Sequence, residues 1–237
     1  MRSEVGGTLR INTSESAACL LLDRIVPAFL TQYPMVSLDL VTEERLVDVV
    51  ADGFDAGVRL TEAVPLDMVA IPFGGPARFV AVASPGYLDQ HPAPRTPHDL
   101  HGHTCIRFRL RSGRLCRREF AWQGMEVSVD VPGALTLDSS SLMTQAAAAN
   151  LGIAFVPERA AASYLARGAL LNILDDWCPR LPGLCVYYPR HRHMTPALRA
   201  FLNVVMDVRD ALPERCPDDT GRIEERTIAG APDDRLP

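Results

Sequence analysis

The stretch GFDAGVRL, Gly53 to Leu60, sets an acid and an arginine four residues apart, Asp55 and Arg59, inside an apolar run. A carboxylate beside a guanidinium could grip a substrate or orient a proton donor. Geometry argues against such a dyad. If the run is a strand, side chains four apart share a face but lie about 13 Å apart at ordinary strand rise, too far to pair. Arg59 and Leu60 then stand at the strand's carboxyl end, where open α/β sheets bind ligands. Both are candidate ligand contacts, with a structural ion pair as the other reading of Arg59. Asp55 is expected to be structural, and Gly57 to permit close backbone packing.

Other polar residues fall at similar strand ends. Thr13 and Ser14 follow the apolar strand TLRIN and precede a helix. Their hydroxyls and the free amides of a first helical turn suit a carboxylate, and they equally suit simple capping. Thr136 and Asp138, before an alanine-rich helix, form a second loop of the same kind. Ser84, just before Pro85, is either a helix cap or a ligand contact. Arg107 and Arg109 flank Phe108 and share a strand face; turned into a cleft, they would favour an anionic ligand. Phe155 and Val156 end a buried strand and could floor a pocket or simply fill a core.

Catalytic chemistry finds little support. There is no G-x-S-x-G elbow, no S-x-x-K and no phosphate-binding loop, so no enzyme and no cofactor is expected. His98, His101 and His103 cluster, as do His191 and His193, but in proline-containing loops that offer no preorganised metal shell; no metal is expected. The six cysteines are scattered without a CxxC pair, and read as free thiols or small apolar fillers.

These residues need elements to hold them. The 237 residues are 47% hydrophobic and 22% charged, enough for one large core or two small ones. The net charge of −5 gives no reason to expect non-specific binding to nucleic acid or an anionic membrane. Every basic residue is arginine, which reflects either codon bias or a need for bidentate anion recognition. No apolar run reaches the roughly 18 residues of a membrane span, and the start lacks an apolar signal core. A cytoplasmic location without membrane contact is expected.

Periodicity predicts a strand at TLRINTS, a helix from about Ser16 to Tyr33 kinked at Pro27, a strand at Val36 to Val41, a helix at Arg45 to Asp52, and a strand at FDAGVRL. The alternation implies a parallel sheet with covering helices. Further strands are expected at DMVAIPF, RFVAVAS, CIRFRL, REFAWQG, MEVSVDV, GIAFVP, LLNILDDW and GLCVYYP. Helices are expected at SSSLMTQAAAAN and ERAAASYLARG, and from Thr195-Pro196 to about Val208. Beyond Leu212 the chain is polar and aperiodic, and reads as a disordered tail. Composition shifts near Ser84 and Tyr188 divide the rest into residues 1–84 plus 187–209 as one lobe and 85–186 as another, with 210–237 as the tail.

TLRINTS, the YP that ends the first helix, GFDAGVR, VASPGYL, PHDLHGHTCIRFR, GIAFVPE and VYYP occur in that order. Taken together they resemble the effector-binding domain of LysR-type transcriptional regulators, over roughly residues 7 to 209. The resemblance implies an α/β, two-lobed, periplasmic-binding-protein-like fold of type 2, with two hinge strands and a small-molecule pocket between the lobes. It implies a small-molecule effector with contacts in the region of Arg59 and Leu60. With the strand-end readings the candidate contacts are Thr13, Ser14, Arg59, Leu60, Ser84, Arg107, Thr136, Phe155 and Val156, whose arginines and hydroxyls lean to an anionic metabolite. It also implies a homodimer, with the first helix of one subunit near the alanine-rich helix of the other. DNA would be reached only through a helix-turn-helix, which is not found in this sequence; the chain is expected to be the sensor half of a regulator. A solute-binding protein for transport is the alternative.

Overall fold

A computed structural model describes residues 5–43, 49, 51–110, 112–190 and 194–211. Most of the expected helix at Arg45–Asp52, His191, His193 and the expected tail beyond Ala211 lie outside the described residues.

The chain opens with β1 (Gly7–Thr13), α1 (Glu15–Arg24), α2 (Val26–Gln32), β2 (Val36–Thr42), β3 (Ala56–Leu60) and β4 (Met68–Phe73). It continues through β5 (Ala77–Ala83), α3 (Pro85–Leu88), β6 (Arg107–Phe108), β7 (Arg118–Trp122), β8 (Met125–Val129) and β9 (Thr136–Leu137). Then come α4 (Ser140–Ala148), β10 (Ala154–Pro157), α5 (Glu158–Ala166), β11 (Leu171–Ile173), β12 (Arg180–Leu181), β13 (Leu184–Pro189) and α6 (Pro196–Ala211). The helix expected from Ser16 to Tyr33 is two helices. Proline lacks the N–H that would continue the first ladder, and the chain restarts at Ile25 with Pro27 in the first turn of α2.

The first sheet has the order β2-β1-β3-β13-β4. β1 runs parallel to β2 and β3, whereas β13 is antiparallel to β3 and β4. Leu9, Ile11, Val58 and Val186 on one face pack against Leu21, Ile25 and Phe29 and against Phe201 and Val205 of α6. Phe29 and Phe201 meet edge to face at 5.2 Å, the ring geometry their quadrupoles favour.

The second sheet is β10-β5-β11, with β12 also on β5. α4 and α5 cover one side through Met143, Ala147 and Ala161, and a separate apolar cluster around Leu100, Phe120 and Ile173 lies against the other residues of β5. β7 and β8 form a hairpin whose two-residue turn, Gln123 at φ 49° and Gly124 at φ 80°, matches the strands' twist. Two expected strands come out shorter. CIRFRL pairs as a strand only at Arg107–Phe108. LLNILDDW stops at Ile173, because Leu174 turns left-handed into a 3-10 turn.

Strand pairing moves the expected lobe boundaries. Ala77–Ala83, assigned to the first lobe from the sequence, pairs only within the second sheet. Leu184–Tyr187, most of which was assigned to the second lobe, pairs with β3 and β4 of the first. The crossings are therefore Gly74–Pro76 and Pro182–Gly183. They lie so close that a Cβ on Gly183 would stand 2.0 Å from the Gly75 carbonyl oxygen.

Candidate functional site

β1 and β3 are parallel, so their carboxyl ends open at one edge of the first sheet. β6 and β9 are parallel too, and Cys105 bridges Ile153 in the same sense, so the carboxyl ends of β6, β9 and β10 share an edge. Each edge starts a helix. Ser14 caps α1, its hydroxyl accepting the Ala17 amide at 3.3 Å. Ser139 caps α4 in the same way through Leu142. The two edges face one another: Glu15 of α1 accepts the Ser139 hydroxyl at 3.1 Å and the Ser141 hydroxyl at 2.6 Å. Farther along α1, Asp23 accepts a 2.6 Å bond from Arg159, which follows β10. The Thr13–Ser14 and Thr136–Ser139 loops therefore stand at facing edges of the two sheets.

The structure brings some expected site residues to these facing edges and leaves others away from them. Ser14 stands at the first edge. Thr13 is buried beside it, with its hydroxyl donating to the Ser14 carbonyl at 3.2 Å. Arg107 and Thr136 are direct neighbours across β6 and β9. The Arg107 Nε is buried without a hydrogen-bond partner. Arg109, expected on the same face, instead donates to Gly113 at 3.2 Å and closes a local turn. Phe155 and Val156 point to opposite sides of β10. Val156 lies in the core under α4, and Phe155 stacks on Phe79 at 5.6 Å and meets Phe120 at 4.9 Å.

Arg59 is 7% exposed and bound within the first lobe. It donates to the Asn12 side-chain oxygen, to the Glu43 carbonyl at 2.7 Å and to the Val58 carbonyl at 2.7 Å. Its side chain leaves β3 on the face opposite Val58, so it braces the strand ends from behind. Leu60 is half-buried where β3 leaves the sheet, opposite Leu184. Asp55 is structural: its carboxylate accepts the Arg10 amide and its own amide donates to the Arg10 carbonyl. Ser84 lies at the far end of the second sheet, because β5 runs antiparallel to β10. There it caps α3 and donates to Asn150 at 2.6 Å.

His91, His98, His101 and His103 gather at that same far end. His98 and His101 are exposed on a 3-10 turn. The His103 Nδ1 lies 3.2 Å from the Tyr87 hydroxyl, and Tyr87 stacks on His91 at 4.4 Å. Burial pulls the His103 pKa below its ordinary value, and the neighbouring His91 charge lowers it further. A hollow of about 340 Å³ beside them is lined by proline, His91, His103, Arg95 and Asp99. Among the described residues no group of three or more His, Cys, Asp or Glu is placed to hold a metal ion.

Sequence reading missed Glu15, Asn12 and Ser141. A serine triplet before an alanine-rich helix and an acid just after Ser14 were visible signals. The serines read as helix caps and Glu15 drew no reading, since nothing in the sequence ties positions 126 residues apart.

Two α/β lobes joined by a pair of adjacent crossings, with helix starts facing one another, define a domain of the two-lobed, periplasmic-binding-protein-like type 2 class. The sequence matches the family described as LysR substrate binding domain over residues 2–210, and the chain belongs to that family. It is 39% identical over 211 residues to a putative transcriptional regulator of Pseudomonas aeruginosa, covering 88% of this chain and 69% of that protein. It is 38% identical over 200 residues to the uncharacterized HTH-type transcriptional regulator YcaN of Escherichia coli, covering 84% of this chain and 65% of that protein. The chain thus spans about two thirds of the length of these relatives. The regulatory domain of AphB from Vibrio vulnificus superposes with a TM-score of 0.68 at 24% identity, covering 86% of this chain and all 100% of that one. Full-length AphB of Vibrio cholerae gives 0.73 at 22% identity over 86% of this chain and 69% of that one. Effector binding is the role of this domain in its family, and the relatives are transcriptional regulators, which does not favour the transport reading. No described helix is long and apolar enough to cross a membrane.

Proposed function

We propose that this domain senses a small anionic metabolite in the cleft between its lobes, and that the bound effector sets the activity of a cytoplasmic LysR-type regulator. The observation that carries this reading is the convergence of the Thr13–Ser14 and Thr136–Ser139 loops, held face to face through Glu15. Ser14 and the first turn of α1 supply donors from one lobe, since first-turn amides lack helical partners. Arg107 and Thr136 supply them from the other, with Thr13 and Leu60 forming the adjoining wall. The buried, unpartnered Arg107 Nε favours a negatively charged group, because a guanidinium binds a carboxylate through short charge-assisted bonds. Arg59 serves by holding Asn12 and the Glu43 backbone. Ser84, Phe155 and Val156 are assigned structural roles.

Thermal unfolding of the chain against organic acids, amino acids and aromatic carboxylates tests the reading. A ligand at 100 times its dissociation constant stabilises by about 2.7 kcal/mol, which raises the midpoint of a domain this size by roughly 5–11 °C. The rise is expected to disappear in Arg107→Ala and Thr136→Ala. A rise that both variants keep moves the pocket elsewhere, and no rise with any acid counts against an anionic effector.

The domain is proposed to act as a homodimer, in which Leu22 of α1 and Leu142 of α4, 53% and 48% exposed, are covered by the partner. Sedimentation that shows only monomer at tens of micromolar would contradict this. DNA contact is assigned to a helix-turn-helix part of the regulator, and catalysis is assigned to none of these residues.

A further inference from the structure

The apolar cores of the two lobes are separate clusters, one between the first sheet and α1, α2 and α6, a smaller one around Phe54 and Tyr187, and two around the second sheet. Rotation of one lobe about the crossings at Gly75 and Gly183 therefore need not break either core. Polar contacts from one edge of α1 do bridge the lobes. Both oxygens of Glu15 are engaged, Oε1 by Ser141 at 2.6 Å and Oε2 by Ser139 at 3.1 Å. Eight residues on, about 12 Å along the helix axis, Asp23 meets Arg159 at 2.6 Å. The latter pair is largely exposed, 62% and 41%, and exposed pairs contribute little. Glu15 makes two charge-assisted bonds and the one to Ser139 is part-buried, so Glu15 is the stronger fastening.

We propose that Glu15 is a clasp that holds the two lobes together. Its carboxylate lies over the start of α4. The consequence for sensing rests on the function proposed above: an effector that reaches Ser139 from the cleft has to release Glu15, so the clasp sets the threshold for occupancy. Losing the carboxylate frees the lobes to separate; losing Asp23 or Arg159 alone changes little.

The test needs no effector. Dyes are attached through p-acetylphenylalanine at Met35 in the first lobe and Met125 in the second, 66% and 60% exposed. Single-molecule energy transfer then reports lobe separation in the full chain. The parent chain is expected to give one narrow distribution. Glu15→Ala is expected to raise the population of longer separations about tenfold or more, the size expected for charged hydrogen bonds. Glu15→Gln, which keeps an acceptor oxygen, falls between the two. Ser141→Ala, at an exposed position, carries the test if Glu15→Ala fails to fold. Distributions for Glu15→Ala or Ser141→Ala that superimpose on the parent's would overturn the clasp. Failure of the acid panel would instead overturn the effector reading and leave the clasp standing.

Discussion

Arg59 on β3 donates to the side-chain oxygen of Asn12 on β1, and its remaining described bonds end on the Glu43 and Val58 carbonyls. A buried guanidinium of this kind fixes the height at which the Thr13–Ser14 loop leaves the sheet. Arg59→Ala leaves the buried Asn12 side-chain oxygen without its donor and removes the bond to the Glu43 carbonyl. A loss of about 3 kcal/mol is expected, in line with charged hydrogen bonds and unmet buried acceptors. Arg59→Lys restores little of it, because an ammonium cannot span several acceptors as a planar fork does. Urea unfolding checks this; an unchanged midpoint in Arg59→Ala would show that the network is not formed in solution.

Gly183 has no room for a side chain. A methyl group there would meet the Gly75 carbonyl oxygen at 2.0 Å, backbone against backbone. Gly183→Ala must push the two crossings apart, and a loss of about 2 kcal/mol or more is expected. Gly113→Ala tests the opposite case: its φ of +83° carries the usual strain but nothing lies within 4 Å of the new methyl group, so its cost is expected to stay near 1 kcal/mol. Equal costs in thermal unfolding would contradict the tight crossing.

The thiols divide by burial. Cys105, Cys178 and Cys185 are buried and burial pushes each thiol up from its ordinary pKa, whereas Cys19 is exposed. Since the thiolate is the nucleophile, brief iodoacetamide treatment at pH 8 is expected to label Cys19 and to spare those three until the chain is unfolded. Cys116 is exposed, yet partial desolvation also raises its thiol, so it reacts more slowly than Cys19. Peptide mass spectrometry that finds Cys105 labelled in the folded chain would contradict the packing of the second lobe.

His103 makes stability depend on pH. Its folded pKa lies below the ordinary value, chiefly through burial, so the unfolded chain binds the proton more readily. Stability from this group is complete above the unfolded pKa of about 6.5 and is lost as the pH falls through it toward the folded value. The unfolding free energy is expected to fall between pH 7.5 and 5.5, with a shallower slope in His103→Gln. A slope that His103→Gln leaves unchanged would assign the dependence to other groups.

Much of the fold was legible because it is written locally. Short apolar runs marked β1 and β5, and alternation marked β2. Pro27 marked the break between α1 and α2, though as a kink rather than a restart at Ile25. The site was less legible. Arg59 lies at a strand's carboxyl end, where ligands bind, but the strand face that takes its side chain is set by pairing with β13 and by Asn12. Ser84 also ends a strand, yet the antiparallel course of β5 carries it to the wrong edge. The lobe boundary was misplaced because an apolar strand such as Ala77–Ala83 reads the same in either sheet. Glu15 was missed because its partners, Ser139 and Ser141, are joined to it only by tertiary structure.

The most direct test of the central claim is backbone amide NMR of the folded chain during titration with the acid that raises its unfolding temperature most. The account predicts that amides of Thr13 to Ser16 and of Thr136 to Ser139 move together with one dissociation constant, while those of Ser84 to Leu88 stay fixed. Movement confined to residues around His91 and His103, or to one loop without the other, would contradict an effector held between the lobes.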